Sequence, residues 1–226
     1  MGLLTLYHGS PHVIEHPFWG GGKPYNDYGS GFYCTQNLDL AREWSCTEGE
    51  GGFANHYQLD AHDLKFLHLN TEEYHILNWL AILLDNRSFD VADGLMSEAK
   101  AYILETFLPS YESYDLIVGY RADDSYFRFS RAFLSGALSL EQLRKAMNLG
   151  YLGEQIVLKS AKAFERIQFI KAESVDYNIY FARRKARDLM ASQQYNALAA
   201  EARAVDSVFV LDLLRQQWKN DDPRLR

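Results

Sequence analysis

The chain has 226 residues, 47% apolar and 14% aromatic, enough for one well-buried domain with room for an appendage. A formal net charge of −7 argues against broad electrostatic capture of nucleic acid or of an anionic membrane, and no apolar run is long enough to span a bilayer. Two cysteines, Cys34 and Cys46, make neither a disulfide framework nor a metal-binding pair; with no basic-then-apolar leader at the start, the expected compartment is the cytoplasm.

The first expected element is a strand over residues 3–8, "LLTLYH", followed by a Gly/Pro-rich loop from Pro11 to Tyr28. "GFYCT" reads as a second short strand, and Asn37 or Asp39 can cap a helix through "LAREWSC". A turn at 48–52 leads into the strand "FANHYQLD", with residues 64–69 continuing the sheet. From Thr71 to Pro109 the apolar stripe is helical. "YDLIVGY" is a short buried strand, "SLEQLRKAMNLG" a Ser-capped helix, "GEQIVLKS" another strand, and "SAKAFERIQFI" reads as helical. After Asp176 the composition shifts to long, charged, amphipathic helices. The basic run "FARRKAR" in that tail reads as a solvated helix face. The expected division is a domain over 1–175 and a helical extension over 176–226, packed on or appended to it.

Several familiar signatures fail on context. "GGGK" runs into Pro24 and is no phosphate-cradling loop; "GSG" lacks the third glycine of a dinucleotide fingerprint; His12 and His16 are flanked by prolines and form no helical metal pair. Three strand-borne residues remain. Alternation puts His8 on one face with Leu4 and Leu6, where a histidine is by default a core residue with one hydrogen-bond partner; the following Gly9 and Ser10 allow close backbone approach. Glu154 shares a face with Ile156 and Leu158, and a carboxylate there is costly unless paired, used or simply reaching water at the strand end. Tyr33 on a strand and Trp44 on the next helix can face each other across a slot suited to a flat cation, or merely pack together.

The order of "LYHGS", "GSGFYCT" with "AREW", and "GEQIVLKS" resembles the ADP-ribosyltransferase fold in its His-Tyr-Glu branch, the diphtheria-toxin and poly-ADP-ribose-polymerase-like one. With "DYGSGFYCT", "YDLIVGYRADDSYF" and "GEQIVL", the chain is similar to a bacterial family of ADP-ribosyltransferase-like, toxin-like proteins over roughly residues 3–172. The resemblance implies an α+β fold: a split β-sheet core with a helical insertion and a C-terminal helical extension. It implies NAD as co-substrate and a macromolecular acceptor, protein or nucleic acid. The amphipathic helices of the tail are expected by default to pack back on the domain, the alternatives being pairing with another copy or docking an antitoxin or other inhibitory partner. His8 would bond a ribose hydroxyl of NAD, the Gly9 backbone the nicotinamide amide, and Tyr33 with Trp44 would sandwich the nicotinamide ring. Glu154 would bind the 2′-hydroxyl of the nicotinamide ribose and stabilise charge at the anomeric carbon. Ser10, Asp27, Gly31 and Arg121 complete the set of cofactor-binding candidates, Arg121 toward the pyrophosphate and Asp27 orienting the loop or meeting a ribose. Asp123 and Asp124 lie where the family places polar residues, or form a surface turn.

Two departures from that pattern stand out. Ala41 occupies a position where polymerase-like members carry a serine, so one amide contact is missing or supplied elsewhere. At the late acidic position Glu154 is preferred to the adjacent Gln155 because only a carboxylate offers charge. Three functions fit these residues: an NAD-dependent mono-ADP-ribosyltransferase acting as a toxin or defence effector, an NAD glycohydrolase, and a non-catalytic NAD- or partner-binding relative.

Overall fold

A computed structural model of the chain describes residues 2–88, 94–121, 124–147, 149, 153–201 and 206–225, with backbone only for 124–126. The fold is mixed α+β, as expected, and the chain divides into two compact units. The first takes residues 1–68, 110–121 and 152–187; the second takes 69–109, 122–151 and 188–226. This division does not coincide with a boundary at 175/176. The helices inserted at 69–109 group with the later tail, and the start of the tail groups with the strands.

Among the described residues all the strands belong to the first unit: β1 (Leu3–Ser10), β2 (Phe32–Cys34), β3 (Phe53–Asp60), β4 (Phe66–His68), β5 (Leu116–Tyr120), β6 (Glu154–Leu158) and β7 (Ile167–Ser174). They make a three-stranded sheet in the order β1-β3-β7 and a four-stranded sheet in the order β2-β6-β5-β4. One core lies between the sheets. Leu6, Tyr57 and Leu59 come from the first sheet, and Phe32, Cys34, Val118, Ile156 and Leu158 from the second. Every one of these alternates in sequence with a residue of the other face, the period of two that half-buried strands require. Between β1 and β2 there is a single antiparallel bridge, Tyr7 to Thr35.

Helix α1 (Leu38–Ser45) is started by Asn37, whose side-chain oxygen accepts the backbone N–H groups of Asp39 and Leu40. It lies against β1. A Cβ on Gly9 would stand 1.9 Å from the Ala41 carbonyl oxygen, so the glycine there is demanded by helix packing.

The segment expected to be one helix, "SAKAFERIQFI", splits in two. Helix α6 (Ala161–Glu165) stops after one turn, and β7 follows at once. Ile167 and Phe169 alternate with the exposed Gln168 and Ile170, and the free edge of β3 offers a backbone ladder. Tertiary pairing outweighs the weak helical pattern. A bulge on β7 between the partners of His56 and Tyr57 leaves Ile170 without a register partner, while Lys171 pairs with His56; an irregular edge of this kind discourages further strand addition.

The second unit is helical: α2 (Ile76–Asn86), α3 (Leu95–Phe107), α4 (Asp124–Leu134), α5 (Leu140–Ala146) and α8 (Val210–Gln216), while α7 (Tyr177–Ala200) runs from the first unit into the second. Helix α2 starts at Ile76, not at Thr71, because Asn78 Oδ1 takes the His75 N–H at 2.9 Å and fixes the first turn. Its residues 76–84 are buried all round. The Asn78 amide donates to the Phe107 carbonyl at 2.8 Å and to Asn220 Oδ1 at 2.7 Å, so the buried polar group is satisfied. The Ser139 cap of α5 is present, completed by the Gln142 side chain. Helix α4 occupies a stretch for which the sequence reading named no element; Phe129 and Phe133, four apart and fully buried, are the helical signal in it. Asp123 lies outside the described residues, and Asp124 is the first residue of α4.

Candidate functional site

The site is the rim where β1 and β2 part. Tyr7 and Thr35 exchange both backbone bonds, at 2.8 and 2.9 Å. In a continued antiparallel ladder Gly9 would face Tyr33 next. Instead the Tyr33 carbonyl takes a hydrogen bond from the His8 ring, Nδ1 to O 2.7 Å. The imidazole replaces a rung and ends the ladder. Hydrogen-bonding edges alternate along a strand, so the N–H and C=O of Gly9 point to the same side as those of Tyr7, toward the gap that opens beyond the bridge.

A carbonyl only accepts, so His8 Nδ1 carries the proton. Burial lowers the imidazole below its ordinary range, opposed in part by this bond, and keeps the ring neutral at pH 7. Neutral His8 therefore has a lone pair at Nε2, an acceptor suited to a hydroxyl. The ring lies on Phe32 with centroids 4.5 Å apart and an interplanar angle of 29°, which fixes its plane.

Tyr33 leaves the sheet on the opposite face from Phe32 and Cys34. Its hydroxyl donates to the Gly29 carbonyl at 2.6 Å and accepts the Tyr28 N–H at 3.1 Å. The phenol thus closes the turn in front of its own strand, and Gly29 supplies the positive φ of 72° that the turn needs. Other groups fasten the same loop. Tyr28 donates its hydroxyl to the Tyr120 carbonyl at 2.7 Å, and Lys159 Nζ donates to the carbonyls of Tyr28 and Ser30, the latter at 2.7 Å. Gly31 lies so close to the Val157 side chain that a Cβ would stand 2.6 Å from it. Burial lowers the Lys159 ammonium from its ordinary value, with Glu112 opposing.

The two residues that open β6 have different fates. Gln155 is 3% exposed and donates its amide to Asp27 Oδ2 at 2.8 Å and to the Tyr120 carbonyl at 3.2 Å. Asp27 is itself buried, so the loop carboxylate is held by an amide donor from the strand. Glu154 is exposed, in register opposite Tyr120, on the face that carries Ile156 and Leu158. Its charge adds to burial in raising the Tyr120 phenol. His8 and Glu154 therefore belong to rows on the inner face of the two sheets, whereas Tyr33 and Gln155 leave by the outer face of theirs.

Trp44, on α1, presents its indole to the Arg121 guanidinium, whose central carbon stands 4.4 Å from the ring centroid. The Trp44 Nε1–H is buried without a hydrogen-bond partner among the described residues. Ser10, expected to meet a cofactor, has its hydroxyl committed: it donates to the His12 carbonyl and accepts from Asn55 Nδ2 at 3.2 Å. Sequence reasoning missed Lys159, Tyr28, Tyr120 and Asn55. A lysine directly after an apolar strand was the one visible hint for the first; the others act through backbone carbonyls that leave no mark in sequence. Among the described residues no group of three or more His, Cys, Asp or Glu side chains is arranged to hold a metal ion.

The run "FARRKAR" is not an unpartnered cationic face. Arg187 grips the buried Glu43 with Nε and an NH group at 2.8 and 2.9 Å, Arg184 donates to the Cys46 carbonyl at 2.7 Å, Arg183 lies 3.5 Å from Asp39, and Lys185 stands over the Phe181 ring.

Residues 4–169, from β1 into β7, match a family described as Protein of unknown function (DUF3990). The chain belongs to that family. The match spans all the rim residues described above and stops short of α7 and α8, so the site lies wholly in the segment shared across DUF3990 proteins. No curated protein and no solved structure matches the chain significantly. Among the described residues no helix is long and apolar enough to cross a membrane.

Proposed function

We propose that the chain is an NAD-dependent mono-ADP-ribosyltransferase that modifies a macromolecule, as a toxin or defence effector. The observation that carries this reading is the broken rung: His8 takes the Tyr33 carbonyl, and the Gly9 backbone is left directed into the gap with one donor and one acceptor. A carboxamide needs one of each. The neutral His8 Nε2 beside it suits a ribose hydroxyl, and the resemblance of "LYHGS", "GSGFYCT" and "GEQIVLKS" assigns the same groups to the same tasks.

In this reading the bond between the nicotinamide nitrogen and C1′ of its ribose breaks, and the electron pair leaves on the ring nitrogen, which becomes neutral. Positive charge develops on C1′ and its ring oxygen, as in glycoside hydrolysis. Glu154 is the fixed anion for that charge and binds the 2′-hydroxyl. The acceptor nucleophile then bonds to C1′ and gives up its proton. Exposure of Glu154 at the mouth of the sheets is consistent with an acceptor that approaches from solvent. Gln155 is committed to Asp27 and Tyr120, which favours Glu154 over its neighbour for this role.

Incubation with NAD labelled in its adenylate half, in cell extract, tests the proposal. Transfer of label to protein or nucleic acid by the wild type, and its loss in Glu154→Gln, is the expected result. Free ADP-ribose without a labelled macromolecule would reassign the protein as an NAD glycohydrolase. No cleavage of NAD by a folded wild type would leave a binding relative instead.

A further inference from the structure

The loop between β1 and β2 carries three exposed aromatic side chains, Phe18, Trp19 and Tyr25, 72%, 64% and 66% exposed. The loop is nonetheless fastened. Trp19 donates its indole N–H to the Lys159 carbonyl at 3.1 Å, and the Lys159 ammonium holds the carbonyls of Tyr28 and Ser30. The run "GGGK", which fails as a phosphate loop, serves this packing. A Cβ on Gly21 would stand 2.8 Å from the Phe18 ring, and one on Gly22 2.7 Å from the Gly31 nitrogen. Phe18 and Trp19 are thus held out toward water by a backbone too closely packed for side chains at these glycines. Lys159 follows Leu158, the register partner of Phe32, and the His8 ring lies on Phe32, so the loop borders the rim.

We propose that Phe18 and Trp19 form the docking surface for the acceptor, and that the acceptor is a protein offering an apolar pocket edged by basic side chains. This inference rests on the ADP-ribosyltransferase reading above. Rings already fixed in place lose little freedom on binding, and exposed aromatics of this kind are the common anchors of protein interfaces. A platform for unpaired bases would need cations along the phosphate track. Lys23 is the one Lys or Arg between Pro11 and Tyr28, the Lys159 ammonium is committed to carbonyls, and the chain carries a net charge of −7. Glu15 in the loop and Glu112 near Lys159 are exposed carboxylates, and they call for basic groups at the partner's edge.

The test measures label transfer from NAD into two separate preparations, nuclease-treated cytosolic protein and deproteinised RNA and DNA. Wild type is compared with Phe18→Ala combined with Trp19→Ala. Calorimetric titration of NAD into Glu154→Gln protein, with and without the same two changes, reads the donor site alone. Protein labelling should fall by about 10-fold or more, the loss that truncating interface anchors produces, while NAD affinity stays within about twofold. Added salt should weaken wild-type labelling of protein, and labelling indifferent to salt would strike the basic edge from the proposal. Phe18→Ala alone keeps the Trp19 bond to Lys159 and carries the test if the double variant melts well below wild type. Undiminished protein labelling by a folded variant would overturn the docking role, and label confined to nucleic acid would overturn the choice of a protein. NAD affinity that falls together with labelling would assign the rings to the donor instead. All of these results leave the NAD reading intact. A folded wild type that does not cleave NAD, or that releases only free ADP-ribose, removes the acceptor, and this inference falls with that reading.

Discussion

Helix α1 faces two regions of the first unit with neighbouring residues, and the two could hardly be treated more differently. Toward α7 and the end of β7 it offers Asp39, Arg42 and Glu43, and every one is matched: Arg42 bonds Glu173 of β7 at 2.6 Å and Asp39 at 2.8 Å, and Glu43, 3% exposed, has both oxygens on Arg187 of α7. Toward the strand rim it offers Ala41 and Trp44, and there the polar bookkeeping is left open. The Trp44 N–H has no described partner, and the ladder stops at Tyr7. A buried charge without a partner costs several kcal/mol, so full pairing marks the α1–α7 seam as structure. Incomplete pairing beside an imidazole that interrupts a sheet is the feature on which the proposed NAD site rests.

The largest effect that would sharpen this contrast is on the seam. Glu43→Ala removes the buried carboxylate on which both of these Arg187 bonds end, and should cost about 3–5 kcal/mol in urea denaturation. Glu43→Ala together with Arg187→Met should cost less than the sum of the two single changes, because the pair is lost only once. At the rim the order reverses. Glu154→Gln should lower NAD cleavage by about 10²-fold or more while leaving the urea midpoint close to wild type, since the side chain is exposed. If instead Glu154→Gln destabilised the fold as strongly as Glu43→Ala does, the rim would be a second structural seam.

Gly9→Ala probes the boundary between the two regions. Its Cβ would meet the Ala41 carbonyl at 1.9 Å, so α1 must move, at a cost of about 1–3 kcal/mol by thermal melting. The shift should also weaken NAD binding, because it displaces the backbone directed into the gap. The smallest expected effect is a pH dependence. Burial lowers both His8 and His56, so the unfolded chain takes up protons first as pH falls. Stability from these two groups should be complete above about pH 6.5, the unfolded value, and should decline below it. His8→Gln should flatten part of that slope. A melting temperature that rises as pH falls from 7 to 5 would contradict the buried neutral ring.

Much of this was legible in the chain. Strong period-2 runs such as "LLTLYH" and "FANHYQLD" became strands, and Asn37 and Ser139 became caps, because both signals are local: alternation and a side-chain oxygen within three residues suffice. The failures share a physical reason. Residues 167–174 are a strand only because β3 has an edge to offer, and α4 was hidden because Phe127 and Phe129, two apart, blur the helical spacing that Phe129 and Phe133 keep. At the site, His8, Tyr33 and Glu154 could be named from type and spacing, yet their partners could not. That Tyr33 spends its hydroxyl on Gly29, or that Lys159 fastens the loop through two carbonyls, depends on contacts with backbone atoms that every sequence possesses equally.

The sequence by itself determined an α+β protein whose early histidine, later tyrosine and late glutamate lie on strands, since side-chain chemistry and periodicity are written residue by residue. Only the tertiary structure decided that the imidazole would take the place of a ladder rung, that Gln155 would turn to the buried Asp27 while Glu154 faced water, and that Arg121 would cover Trp44. Those outcomes depend on the registers of β1, β2, β5 and β6. A register is a relation between distant segments, fixed by burying one face of each strand at once, and no single stretch of chain contains it.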